Sequence, residues 1–233
     1  MRTIVVVMIS VGVLAFCQCR PSNTHALSEE QCEQMNAKTA ELINDYTIID
    51  ENRLSARLDS ALVLIDSMLK CNCKVSFKAK AAIRKVYILC TKKEYAEALK
   101  FTQATSDTLF IEPYMKYVYE KRIEAMMAQE QNDMATRNKL IHDIVIYLQN
   151  YLPIPSPAID SVLALKDRHD IGRYEKNFAI SQYYYYRAQI EGKDKILKEL
   201  DSLQQRINGN QEFFDYFLRE PIKYDKFMNF NGV

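Results

Sequence analysis

From Asn52 to Lys70 the apolar residues Leu54, Leu58, Ala61, Leu62, Ile65, Met68 and Leu69 recur every three or four positions, with Arg, Asp and Ser between them. That interval lines the apolar side chains along one stripe of an α-helix, and such a stripe must be covered by a neighbouring element. Upstream, Ser28 followed three residues later by Gln31 is a capping box, which predicts a helix opening there. These two helices form the first expected hairpin. A second pairs residues 75–90, with Phe77, Ala81, Val86 and Leu89 inward, to a helix from Glu94 to about Thr105. Pro113 suits the first turn of a helix through Tyr117, Ile123 and Ala125 to about Gln129. Its partner begins near Asp133 and carries Leu140, Ile141, Ile144, Leu148 and Tyr151.

Pro153, Pro155 and Pro157 then interrupt the periodicity, because proline lacks the helix donor and restricts the preceding residue. Beyond them the pattern predicts a short helix from Pro157 to Lys166 and a hairpin pairing 174–190 with 193–207 across Gly192. From Gln211 the chain is rich in aromatics, and Phe213, Phe214, Tyr216, Phe217 and Leu218 are expected to cap the open end of the stack. The fold expected is all-α: stacked antiparallel helical hairpins, about four in number, with a C-terminal capping segment. With 5 Gly and 6 Pro in 233 residues, turns are few, as helices joined end to end require.

Lys92-Lys93-Glu94-Tyr95-Ala96-Glu97-Ala98-Leu99-Lys100 carries a more specific signal. A short turn, an aromatic and, three residues on, a small residue resemble the second helix of a tetratricopeptide repeat, with Tyr95 and Ala98 at those positions. Leu58 and Ala61 occupy them in the preceding unit, and Ala125 suits the small first-helix position of the following one. The resemblance covers roughly Asn52 to Ile207 and implies a TPR-like α-solenoid. The Ala61-to-Ala98 spacing exceeds the usual period of about 34, and no unit keeps both the large aromatic and the small residue of the first helix. In that family the first helices line a concave face that receives an extended peptide or partner helix. Counting from the matched positions places Lys80, Tyr87, Tyr119, Arg122, Gln182, Tyr186 and Gln189 near that face. Tyrosine and arginine there have the character of binding anchors. A further recurrence, Leu58-Asp59-Ser60, Ile65-Asp66-Ser67, Ile159-Asp160-Ser161 and Leu200-Asp201-Ser202, reads as the solvent edge of amphipathic helices.

The first residues read differently. Arg2, the apolar run Ile4 to Phe16 and the polar sequence after it have the form of a signal peptide, too short for a membrane span of roughly 20 residues. Leu14-Ala15-Phe16-Cys17 resembles a bacterial lipobox, with Phe16 where that motif has a small residue; Cys19 is the alternative lipidated cysteine, and cleavage after Ala26 would instead give a soluble periplasmic or secreted protein. The organisation expected is a signal peptide over 1–19, a tether over 20–27, hairpins over 28–152, a proline break over 153–157, and a further hairpin and cap over 158–233. Removing the residues before Cys17 takes away Arg2 and no acid, so the 31 basic residues fall by one and balance the 30 acidic ones. A neutral chain without a basic block does not suit nucleic acid.

Export also frames the cysteines: Cys32 and Cys71 or Cys73 would meet at one end of the first hairpin, where an oxidising compartment permits a disulfide. Cys71-Asn72-Cys73 lacks further ligands at zinc spacing, and His25, His142 and His169 complete no catalytic or metal motif, so neither an enzyme nor a cofactor is expected. Tyr183-Tyr184-Tyr185-Tyr186 points around most of a helix, so at least one ring is expected to be buried and at least one to face water or a partner. The function expected is a protein-binding scaffold or assembly factor, lipid-anchored at a bacterial envelope, with an unidentified protein or peptide partner. The alternative is a ligand- or glycan-capturing accessory lipoprotein that uses the tyrosines.

Overall fold

The structure is a computed structural model that describes residues 27–44, 51–154, 157–164 and 176–225. Every regular element among them is helical. The signal peptide, Cys17, Cys19 and His169 lie outside the described residues.

The helices are α1 (Glu29–Asn44), α2 (Glu51–Lys70), α3 (Val75–Thr91), α4 (Tyr95–Ala104), α5 (Pro113–Glu130), α6 (Met134–Tyr151), α7 (Pro157–Leu163), α8 (Asn177–Glu191) and α9 (Lys193–Ile207). The last helical stretch, α10 over 211–223, runs from an α turn at Gln211–Phe213 through a π-helix at Phe214–Arg219 to an α turn at Glu220–Lys223. Local chemistry sets the boundaries. Ser28 accepts from the Gln31 amide at 3.1 Å while the Ser28 amide donates to Gln31 Oε1 at 2.9 Å, which closes the capping box that opens α1. Pro113 stands in the first turn of α5, and Asp133 caps α6 by accepting from the Thr136 amide at 3.0 Å.

The turns after α3, α5 and α9 share one geometry. Lys93, Asn132 and Asn208 take positive φ of 60°, 58° and 50°. The amides that follow them, of Glu94, Asp133 and Gly209, donate back to Leu89 at 2.8 Å, Ala128 at 2.8 Å and Gln204 at 2.9 Å. This is the Schellman closure, which satisfies carbonyls that a helix end leaves open and reverses the chain within a few residues. The turn between α8 and α9 is tighter: Gly192 alone joins them, at φ 100°, a conformation that a side chain disfavours.

Each helix packs on the next in order: α1 on α2, α2 on α3, and so on to α6, which packs on α8, and α8 on α9. A small cluster of Leu58, Ala61, Ile65, Met68, Ala81 and Ile88 fills the space under α1 to α3. A larger one runs from Ile83 to Ile222 without interruption at the proline break, since Leu148, Leu152, Ile159 and Leu163 all belong to it. Packing therefore continues across 153–157. Ala98 is fully buried in this cluster, as its match to the close-packed repeat position implied.

One expectation changes. All four rings of Tyr183 to Tyr186 are buried, although four consecutive helical positions suggested one facing outward. The reason is that α8 is surrounded, with α6 and α9 on two sides and α10 across another. The aspartates of the Leu/Ile-Asp-Ser triplets stay at the solvent edge of their helices, exposed or half-exposed, and make ion pairs there. Asp66 pairs with Lys85 at 2.6 Å and Asp59 with Lys92 at 2.6 Å, Asp160 reaches Arg206 at 2.9 Å, and Asp201 reaches Arg219 at 2.8 Å. Each ties its helix to another element. Ser60, Ser67 and Ser202 instead return their hydroxyls to carbonyls one turn back.

Candidate functional site

The seven residues expected on a concave face divide into two groups. Lys80 on α3 is exposed, and Tyr87 on α3 and Gln189 on α8 are half-buried. Tyr119 and Arg122 on α5 and Gln182 and Tyr186 on α8 are buried, which corrects their reading as open anchors.

What those residues build is an internal polar cluster. The Arg122 guanidinium lies over the Tyr119 ring, 4.6 Å from its centroid, at a distance where a cation meets the negative face of the π system. Burial raises the Tyr119 and Tyr186 hydroxyls above the ordinary phenol range, and the charge of Arg122 beside them pulls the other way. Burial likewise pushes the Cys90 thiol up to about 12, again opposed by Arg122. Tyr114 and Tyr184 are raised by burial too. These phenols are neutral at physiological pH, without the activation a nucleophile or base needs.

Gln189 has a different role. Its amide accepts from Arg137 at 2.9 Å and donates to Asp225 at 2.8 Å, so it bridges α6 to the segment after α10. Lys193 reaches the other oxygen of Asp225 at 2.7 Å. Next to it, Arg187 holds Glu191 and Glu199 together, bonding Glu199 at 2.7 Å. The Arg187 bond lowers the Glu191 carboxyl to about 2.

At the far N-terminal end, Cys32 is bonded to Cys73, with Cα atoms 6.0 Å apart, and Cys71 is a half-buried free thiol. Among the described residues no group of three His, Cys, Asp or Glu side chains is placed to hold a metal ion, and His142 stands exposed on α6. Among them, too, no helix is long and apolar enough to cross a membrane.

A feature the sequence reading passed over lies between α9 and α10. Asp201, Gln204, Gln205, Asn208, Gly209, Gln211, Asp215 and Arg219 line an open cleft of about 710 Å³. Arg219 is 7% exposed and forms its floor. Its guanidinium donates to Asp215 at 2.7 Å, to Asp201 at 3.0 Å and to Gln204. Gln204 in turn donates to Gln211 at 2.7 Å, and Gln211 to Asp215 at 2.7 Å, which closes a ring of hydrogen bonds. The close approach of α10 that makes the cleft depends on Gly209, where an added Cβ would stand 2.5 Å from a Phe214 ring carbon. The Asp215–Arg219 spacing of one turn is legible in the sequence; its meeting with Asp201 and Gln204 depends on how α10 folds back.

Comparison of the chain with family models, with curated proteins and with solved structures gives no match.

Proposed function

We propose that this chain is a non-catalytic protein-binding scaffold or assembly factor, exported and held at a bacterial cell envelope by a lipid on Cys17 or Cys19, with its helices stacked in the manner of tetratricopeptide repeats. The observation that carries this reading is the packing order, in which each helix from α1 to α6 rests on its predecessor, α8 rests on α6 and α9 on α8. Such an arrangement displays a surface along its length, and its use is recognition. The Cys32–Cys73 bond supports an oxidising compartment, where disulfides persist. The partner surface is drawn to the first three hairpin helices, where Lys80 and Tyr87 remain accessible, since Tyr119, Arg122, Gln182 and Tyr186 are buried inside the fold. The tyrosine run serves packing, and a capture role for it has no support.

Two measurements on cells producing the full chain test the reading. Intact mass of the mature protein should show a lipid-bearing cysteine at its start in the membrane fraction; an unmodified start in soluble material removes the anchoring. A photo-crosslinking residue at position 80 or 87 should give one discrete adduct that the same residue at exposed Val63 or Ile146 does not. Equal adducts at all four positions would remove the scaffold face.

A further inference from the structure

We propose that the cleft between α9 and α10 binds a neutral polyhydroxylated ligand, a sugar ring or short glycan, held by a ring of planar hydrogen-bonding side chains. This goes beyond the scaffold reading and does not depend on it.

The size fits: about 710 Å³ falls within the range of small-ligand sites and is ample for one or two sugar rings. The lining selects the chemistry. An anion would meet Asp201 and Asp215, whose side chains remain 58% and 45% exposed, while the one cation beneath it, Arg219, already bonds both carboxylates. A cation would stand beside the buried guanidinium of Arg219, which already pairs with both carboxylates and repels a second positive charge. A peptide needs apolar pockets for its anchoring side chains, and the lining offers amides, carboxylates and a guanidinium instead. A neutral ligand rich in hydroxyls meets none of these obstacles. Each hydroxyl both donates and accepts, which matches the amides of Gln204, Gln205 and Gln211 and the outer oxygens of Asp201 and Asp215.

The site is also built before a ligand arrives. In the Gln204–Gln211–Asp215–Arg219 ring each planar group fixes the orientation of the next, so little side-chain entropy remains to be lost on binding. Arg219, buried against the Phe214 ring at 5.5 Å, cannot swing out. Phe214 to Arg219 form a π-helix, a rare widened turn that is found frequently at functional sites.

The test is a titration of the full chain with glucose, galactose, mannose, N-acetylglucosamine and the disaccharides maltose, cellobiose and chitobiose. Glucose 6-phosphate and spermidine serve as anionic and cationic probes. Binding is read by calorimetry and by the ¹⁵N side-chain amide signals of Gln204, Gln205 and Gln211. Saturable binding of at least one neutral sugar is expected, with those amides shifting. Gln205→Leu removes an exposed amide outside the ring, so the fold is unaffected, and should weaken binding about tenfold. Gln211→Ala opens the ring and should weaken it at least as much. Absence of saturation by every neutral sugar, tighter binding of glucose 6-phosphate or spermidine, or sugar binding that both variants leave intact would each overturn the proposal.

Discussion

The two ends of this chain are held by different means. At the N-terminal end the core is a small aliphatic cluster around Leu58, Ile65 and Met68, and among the residues of α1 whose burial is described only Cys32 and Thr39 are fully buried. At the C-terminal end Tyr185, Tyr186, Phe213 and Phe214 are fully buried in the large cluster. Apolar burial contributes in proportion to area, so the aromatic end holds itself and the α1 end does not. The Cys32–Cys73 bond ties α1 to the turn between α2 and α3, where area is scarce. A helix with two buried side chains can belong to a fold if a covalent link shortens its freedom.

That contrast can be broken at either end. Phe213→Ala should remove about 3–5 kcal/mol from global unfolding, read in denaturant, because a fully buried ring leaves a cavity behind. A loss under 1 kcal/mol would mean that α10 is a loosely held flap. The double change Cys32→Ser with Cys73→Ser should cost about 2–4 kcal/mol and act locally, with hydrogen exchange rising over Glu29–Asn44 while α5 to α9 stay protected. Uniform loss of protection would instead make the chain one cooperative unit. At the joint between the ends, Ala98→Leu should overpack α4 and cost about 1–3 kcal/mol in a melting experiment.

The smaller effects concern charge and reactivity. The folded Glu191 carboxyl, lowered to about 2 from an ordinary 4.5, adds stability that is complete above the unfolded value and fades as pH falls toward the folded one. Acid unfolding should therefore steepen below pH 4.5, and Glu191→Gln should flatten that part of the curve. Alkylation of the native protein should modify Cys71 and spare Cys90, whose thiol is buried and raised to about 12. Rapid labelling of Cys90 would show that the large cluster opens more readily than the small one.

Much of the helical outline was legible locally. The capping box at Ser28, Pro113 at a first turn and the stripe from Leu54 to Leu69 act over a few residues, so they read directly from the chain. Even Ala98 was marked, because a small residue at a repeated position announces close packing. The positive-φ turns at Lys93 and Asn132 were less visible, since neither carries the glycine that usually advertises such a conformation.

The candidate sites were harder to read. Arg122 and Tyr186 were read as anchors near a concave face, but whether they face a partner or the interior depends on how near α5 comes to α8. The run Tyr183 to Tyr186 presents the same face pattern to water or to protein; only the presence of α6, α9 and α10 around it decided the outcome. Asp201 and Arg219 lie 18 residues apart with nothing in their spacing to pair them.

By itself, the sequence determined the helices, their order and the near balance of charge, because each follows from chemistry within one turn or from a simple count. The tertiary structure decided which of two cysteines takes Cys32, which tyrosines are sealed from solvent, and the ring of side chains around Arg219. Those depend on distances between segments remote along the chain, and such distances exist only once the apolar stripes have found one another.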